Sequence, residues 1–186
     1  MSAALDRYSF TAEEFERMGE AGILRQDARL ELIEGEIYEM SPIGNAHAAC
    51  VKHLNRLLQR LFDGVHTIGV QDPVRLSDFS EPQPDISLLR WRDDDYREGH
   101  PAPTDILLLI EVADTTVVKD KAVKIPLYAR SGVPEAWVVN IDDEVVEVYS
   151  APTQGSYRRV EVFGRGEEAR SHTLEGLTVN VSELLG

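Results

Sequence analysis

Two apolar segments of the sequence each carry one carboxylate, and a segment with basic residues follows the second. Asp85 lies near the start of residues 84–89, and Glu111 lies inside residues 106–113. Moving a carboxylate out of water costs several kcal/mol unless a metal, a proton or a cation compensates for the lost hydration. We therefore predict that Asp85 and Glu111 converge on one shared cation site, an arrangement that indicates a metal-dependent nuclease.

The chemistry of these ligands favours a hard divalent cation. Mg²⁺ and Mn²⁺ prefer oxygen ligands and often take one or two protein carboxylates together with waters and phosphate oxygens. A metal held by Asp85 and Glu111 would polarise a phosphate and lower the pKa of a bound water that attacks phosphorus. We predict Mg²⁺ or Mn²⁺ as the cofactor.

The helix expected after the second acid supplies positive charge for this reaction. Lys121, Lys124 and Tyr128 are spaced i, i+3 and i+7, so they share one helical face. We predict that Lys124 positions the attacking water or stabilises developing negative charge, and that Tyr128 supports it. The alternatives are a solvated Lys121 and a Tyr128 that only packs in the core.

The remaining candidates have structural alternatives as well. His47 is expected to contact phosphate or carry a proton, or else to cap or pack the helix that it begins. Glu34 flanks a predicted turn, where acidic side chains are usually exposed to solvent. Asp85 could instead end a loop by accepting backbone hydrogen bonds, and Glu111 could be one half of a structural ion pair.

Cys50 is the single cysteine of the chain, so an intramolecular disulfide and a thiolate metal site are both excluded. A small buried thiol on a helix is the simplest interpretation. The alternative is a nucleophilic pair with His47, which lies three residues earlier and shares a helical face with it. The sequence shows neither an orienting third group nor an oxyanion turn.

Composition predicts one globular domain over residues 1–186, with 42% hydrophobic and 28% charged residues. No apolar run approaches the roughly 18 residues of a membrane span, and no signal sequence is recognised, so we expect a cytoplasmic protein. The net charge of −14 opposes a broadly basic DNA-binding surface. It is compatible with DNA binding if the acidic side chains lie in a metal site and away from the substrate.

Hydrophobic periodicity predicts an α/β sandwich with a mixed central sheet. A capping box at Thr11 and Glu14 is predicted to begin a short helix. Apolar and acidic side chains alternate along residues 29–40, which predicts a hairpin with Leu30, Leu32 and Ile37 facing inward. The polar segment 91–104 is predicted to be a loop whose neighbourhood offers Arg90, Arg92 and Arg97 as phosphate contacts. The other expected helices span residues 45–62 and 115–131, and the other expected strands span 65–70, 74–76, 106–113, 136–141, 145–149, 157–163 and 177–181.

Several short segments are specific in combination and in order. They are Leu32-Ile33-Glu34-Gly35-Glu36, Ser41-Pro42, His47, Gln83-Pro84-Asp85, Ile110-Glu111-Val112, Asp120, Lys124 and the run from Tyr128 to Val139. Together they closely resemble the bacterial “putative restriction endonuclease” family within the PD-(D/E)XK nuclease superfamily, over roughly residues 8–184.

The resemblance implies a restriction-endonuclease-like core with a mixed central sheet, flanking helices, and an N-terminal helix and hairpin. It also implies a divalent cation, phosphodiester hydrolysis and often a homodimer. By position, Asp85 matches the Pro-Asp aspartate, Glu111 the acid of the second strand, and Glu34 the acid of the N-terminal region. The superfamily lysine normally lies two residues after the second acid, where this chain has Ala113. Within this family the lysine that matches is Lys124, on the following helix.

The sequence as a whole predicts a Mg²⁺-dependent nuclease acting on DNA, with Asp85 and Glu111 as metal ligands. Lys124, Glu34, His47 and Tyr128 complete the predicted catalytic set. One alternative is a non-catalytic binding or assembly protein with the same fold, motivated by the net charge of −14 and by Ala113. The other is a metal-dependent hydrolase of a different phosphate ester.

Overall fold

The computed structural model describes residues 7–25, 27–114 and 120–186. Among these residues, no helix is both long and apolar enough to cross a membrane. The helices are α1 (Ala12–Glu20), α2 (Asn45–Phe62), α3 (Ile125–Arg130) and α4 (Val181–Leu185). The strands are β1 (Leu30–Ile33), β2 (Glu36–Glu39), β3 (His66–Val70), β4 (Ile86–Arg90), β5 (Ile106–Ala113), β6 (Glu135–Asn140), β7 (Val145–Pro152), β8 (Tyr157–Gly164), β9 (Glu168–Arg170) and β10 (Thr178–Asn180).

The N-terminal helix and hairpin form as the sequence predicts. Thr11 and Glu14 make the reciprocal capping box at the start of α1. β1 and β2 pair antiparallel, and both residues of the turn between them, Glu34 and Gly35, have positive φ. A Cβ on Gly35 would lie 2.5 Å from Ser9 Cβ, so glycine is required there.

The central sheet has six strands in the order β3-β4-β5-β6-β7-β8. All neighbours pair antiparallel except β5 and β6, which are parallel and joined by the segment that contains α3. β6 is buried along its whole length, and seven of the eight residues of β5 are buried too, as expected for strands covered on both faces. The predicted mixed α/β architecture is confirmed.

The sheet is packed on both faces. On one face, Leu54 and Leu58 of α2 pack with Ile110 of β5 and Trp137 of β6. On the other face, the α3 residues form a second core with Leu109, Ala113 and Val138. Because side chains alternate along β5, Glu111 lies on the α3 face together with Leu109 and Ala113. The side of the sheet that Glu111 faces is therefore set by the strand register.

Three local expectations differ from the structure. Residues 74–76 are buried but form no strand, because Val74 N donates to Pro82 O and Leu76 N to Ser80 O instead of to a sheet neighbour. β9 was not expected from the sequence, and it pairs with β10. The predicted helix 115–131 is described only from Asp120, as a π-helical turn (Asp120–Lys124) followed by α3. Its expected start at residues 115–116 lies outside the described residues.

The α2 face provides a test of where the core lies. Leu54 is fully buried, whereas Leu61 on the same helix is 43% exposed. We expect Leu54→Ala to lower the free energy of unfolding by about 3 kcal/mol, through lost burial and the cavity left behind. Leu61→Ala should change it by about 0.5 kcal/mol or less. Urea unfolding followed by circular dichroism measures both, and equal effects would contradict this placement of α2.

Candidate metal and phosphate site

The pairing of β4 with β5 brings two carboxylates together. Ile86 is opposite Ile110, so the preceding residue, Asp85, is placed opposite Glu111 at the end of the strand pair. The backbone N–H of Val112 donates to Asp85 Oδ2 at 2.9 Å. Both carboxylates are buried, and both line one cavity. The structure thus places the two predicted metal ligands side by side.

Asp85 is oriented by three donors. Besides Val112 N, His47 Nε2 lies 3.1 Å from Asp85 Oδ2, and Gln71 Nε2 donates to Asp85 Oδ1 at 3.0 Å. Burial raises the pKa of Asp85, but the bonds from His47, Gln71 and Val112 outweigh it and leave the pKa below its usual value. The carboxylate is thus kept ionised, as a metal ligand must be.

His47 is positioned for this contact by its place near the start of α2. Its hydrogen bond to Asp85 raises the pKa of the imidazole, although burial opposes the shift. Neither the bond from His47 nor that from Gln71 could be predicted from spacing alone, because the three residues come from different elements.

Glu111 is contacted by the segment that follows it. Lys124 Nζ lies 3.2 Å from Glu111 Oε2, and the Tyr128 hydroxyl donates to Glu111 Oε1. Lys124 is 3% exposed and Tyr128 is fully buried. The two predicted supporting side chains therefore reach the same carboxylate. Lys121 does not reach Glu111. Its Nζ lies 2.7 Å from Glu147 Oε1, with which it forms an ion pair at a more exposed position.

A third acid, Glu31, lies in the cavity and was not predicted. Its side chain is 1% exposed, and its Oε2 is 3.2 Å from Lys124 Nζ. The hairpin alternation predicts Leu30 and Leu32 as the inward-facing residues, but β1 is covered on both faces. The signal that would have found Glu31 is the one used for Glu111: a lone carboxylate inside an apolar run, here residues 30–33.

Glu34 is placed outside the cavity. Its side chain is 62% exposed, and its Oε1 forms an ion pair with Arg130 at 2.6 Å on the surface. The reason is the turn itself, which directs residue 34 away from the sheet while Glu31 points into the protein. In this structure the acid that the N-terminal region contributes to the cavity is Glu31, which corrects the positional match to Glu34.

The candidate phosphate contacts of the loop are engaged locally. Arg90 Nε donates to Thr104 O, and Arg92 pairs with Asp94 and stacks on the ring of Tyr96. None of the three predicted arginines, Arg97 included, is among the residues that line the carboxylate cavity. Their role in binding nucleic acid stays a prediction.

The cavity suits a hydrated divalent cation. Its volume is about 80 Å³, which is room for an ion and a few waters. The walls combine hard oxygen donors with two basic side chains and a histidine. The lining residues are Arg29, Glu31, Glu39, Met40, Ser41, Pro42, Ile43, His47, Asp85, Glu111, Val112, Asp114 and Lys124.

A second group of potential ligands lies apart from this cavity. Glu16, Glu81 and His100 offer ligand atoms within 4.8 Å of one another. Arg75, however, forms ion pairs with both Glu16 and Glu81. Lys124 pairs with Glu31 and Glu111 in the same way, so these ion pairs do not separate the two groups. The difference is Asp85, which pairs with no lysine or arginine among the described residues and so favours its cavity for a metal.

The thiol of Cys50 is not a nucleophile in this environment. Cys50 is 4% exposed, and burial raises its pKa to about 12. His47 Nε2 is directed at Asp85, and His47 Nδ1 makes no hydrogen bond to any described residue, the thiol of Cys50 included. The structure therefore supports the buried structural thiol and not the Cys-His pair.

At pH 8 only a very small fraction of Cys50 is present as the reactive thiolate in the folded protein. We therefore expect the folded protein to react with a disulfide reagent about 10³-fold more slowly than the unfolded protein does. Following the absorbance of released thionitrobenzoate, with and without guanidinium chloride, measures both rates. Similar rates in the two conditions would show that the thiol is accessible after all.

The fold matches that of a solved crystal structure. The crystal structure at 1.96 Å resolution of a “putative nuclease belonging to DUF820” from Anabaena variabilis ATCC 29413 superposes with a TM-score of 0.67. The two sequences are 19% identical, and the match covers 95% of this chain and 97% of that chain. The protein thus shares the fold of that structure.

The family follows from the sequence match. The model of the Uma2 family, described as “Putative restriction endonuclease”, matches residues 12–182. This chain belongs to that family, which confirms the resemblance seen in its motifs. No curated protein matches it.

Proposed function

We propose that this protein is a divalent-metal-dependent nuclease that hydrolyses phosphodiester bonds of DNA. The observation that carries the proposal is the convergence of Asp85 and Glu111, from adjacent strands, in one cavity that Lys124 also lines. Family and fold support nuclease activity in general. The choice of Mg²⁺ or Mn²⁺ rests on the oxygen donors of this cavity, and the choice of DNA rests on the description of the family as restriction endonucleases.

Asp85 and Glu111 would hold the metal, which supplies charge neutralisation at the phosphate and a bound water of lowered pKa. The protein's own contribution is to keep both carboxylates ionised and fixed. His47 and Gln71 orient Asp85, and Tyr128 orients Glu111. Such outer contacts are what set ligand geometry in metal sites.

Lys124 provides the positive charge that the strand lacks at Ala113. Its ammonium group lies 3.2 Å from both Glu31 and Glu111. In this position it would stabilise the negative charge that develops on the phosphate, and Glu31 would hold it in place. Glu34 has no part in this proposal. The homodimer implied by the family resemblance stays a prediction.

The net charge of −14 shapes the expected behaviour toward DNA. A strongly acidic protein repels phosphates over most of its surface, so we expect weak binding in the absence of metal. Affinity should depend on the few cations at the cavity and on the bound metal. Metal-free binding to duplex DNA that is tight at physiological salt would contradict this mechanism.

The deciding experiment is a cleavage assay on supercoiled plasmid and on single- and double-stranded oligonucleotides with Mg²⁺, Mn²⁺ or EDTA. We expect cleavage with either metal and none with EDTA, together with calorimetric binding of Mn²⁺. Metal binding without cleavage of any nucleic acid, but with hydrolysis of small phosphate esters, would instead identify a different phosphohydrolase. No binding at millimolar Mn²⁺ would favour the non-catalytic alternative.

A further inference from the structure

The cavity of Asp85 and Glu111 also contains an arginine that the proposed reaction leaves unused. Arg29 directly precedes β1, and its carbonyl oxygen accepts a hydrogen bond from Met40 N at 2.8 Å, which continues the hairpin ladder. Residues two apart on a strand share a face, so Arg29 and Glu31 both extend into the cavity that they line. The hairpin thus holds the guanidinium at the cavity.

The tip of this arginine is buried without a partner. Nη2 of Arg29 has no hydrogen-bond acceptor among the residues that the structure describes. Nor does any ion pair within those residues join Arg29 to the acids of the same cavity; Glu39, for example, pairs with Arg25. A buried donor is costly to leave unsatisfied, so an acceptor oxygen that a ligand brings into the cavity would be bound favourably at this nitrogen.

A second buried nitrogen of the cavity also lacks a hydrogen-bond partner among the described residues. His47 Nδ1 is buried and has no partner among the described residues, while Nε2 of that ring is directed at Asp85. Two buried nitrogens without hydrogen-bond partners therefore border one cavity, and of these Arg29 Nη2 is a donor that requires an acceptor. Guanidinium groups bind phosphate through paired N–H···O contacts, which matches this requirement better than a point charge would.

We propose that Arg29 binds a non-bridging oxygen of the substrate phosphate that enters the cavity beside Asp85 and Glu111. The inference rests on the proposed function in that the phosphate belongs to a phosphodiester. Arg29 acts as a substrate-binding residue and not as a metal ligand, since it carries a positive charge. Because the contact is made to the backbone, it is independent of base sequence.

Three variants test this role. Arg29→Met keeps the unbranched apolar stem and removes the donors, and Arg29→Gln is a shorter neutral alternative if the first variant does not fold. Arg25→Met is the matched control, because Arg25 is an exposed arginine of the same segment that pairs with Glu39. Each protein is first compared with the wild type by thermal unfolding and by Mn²⁺ titration.

The primary measurement is calorimetric titration of inorganic phosphate into the Mg²⁺-loaded protein. We expect Arg29→Met to weaken phosphate binding by about tenfold or more, whereas Arg25→Met stays within about twofold. In cleavage assays Arg29→Met should raise KM by about the same factor on substrates of different sequence, with kcat changed far less. Mn²⁺ affinity should be unchanged or tighter, a result that general structural damage would not produce.

The outcomes separate this inference from the proposed function. If the wild type cleaves DNA and Arg29→Met keeps wild-type KM and phosphate affinity, the role of Arg29 is wrong and the nuclease proposal stands. If the wild type neither binds Mn²⁺ nor cleaves, the nuclease proposal fails, and the phosphate titration alone still decides whether Arg29 is an anion-binding residue. Loss of Mn²⁺ affinity in parallel with phosphate affinity would also overturn the inference.

Discussion

We expect Glu111→Gln to abolish the proposed metal-dependent cleavage, with kcat/KM lowered by about a thousandfold or more, because the transition state would lose a charged metal ligand worth several kcal/mol. The amide keeps the size of the side chain and its ability to accept from Tyr128, so the fold should persist. Asp85→Asn is expected to have an effect of the same order, since the cavity pairs the two carboxylates. Initial rates of plasmid cleavage with Mg²⁺ and with Mn²⁺ measure both variants.

Two controls make this result interpretable. Glu183→Gln removes an exposed acid from the C-terminal helix and should leave the rate within about twofold of the wild type. Calorimetric titration of Mn²⁺ should show that Glu111→Gln and Asp85→Asn bind the metal much more weakly. Cleavage by one of these variants at the wild-type rate would reject the residue that it changes as a metal ligand.

The second large effect is expected at Lys124, and it concerns stability as well as activity. The ammonium group is 3% exposed and faces two carboxylates, those of Glu31 and Glu111, that are equally buried. Removing one partner of a buried ion pair leaves charge that the interior solvates poorly, at a cost of about 3–5 kcal/mol. Lys124→Met should therefore be strongly destabilised without metal, and Mg²⁺ should restore more stability to it than to the wild type.

Urea unfolding in EDTA and in Mg²⁺ measures this coupling directly. The matched control is Lys121→Met, because Lys121 pairs with Glu147 at a position where it is 42% exposed. Its effect should stay within about 1 kcal/mol. Destabilisation of Lys124→Met by less than 1 kcal/mol in EDTA would mean that Lys124 does not neutralise the two acids. Cleavage by Lys124→Met that equals the wild type would separately remove Lys124 from the reaction.

Local patterns determined most of the secondary structure and the two central acids. The capping box at Thr11, the hairpin about Gly35 and the helix over residues 45–62 all formed as predicted, because each depends on neighbours within a few residues. Asp85 and Glu111 were found for a similar reason. A carboxylate at an apolar strand is conspicuous in the sequence, whatever packs around it.

The tertiary structure alone decided which other side chains reach these acids. An alternating strand such as β1 shows its own period but not what covers its second face, so the pattern does not identify Glu31 and Arg29 as residues of the cavity. The candidate Glu34 comes from the family resemblance, and its position on the surface is likewise visible only in the structure. His47, Gln71 and Lys124 likewise come from separate elements, and only the packing of α2 and the segment before α3 against the sheet brings them to the carboxylates. Burial and contact between distant segments are properties of the assembled layers. The sequence therefore names Lys124, His47 and Tyr128 as candidates, but only the folded structure shows which carboxylate each of them contacts.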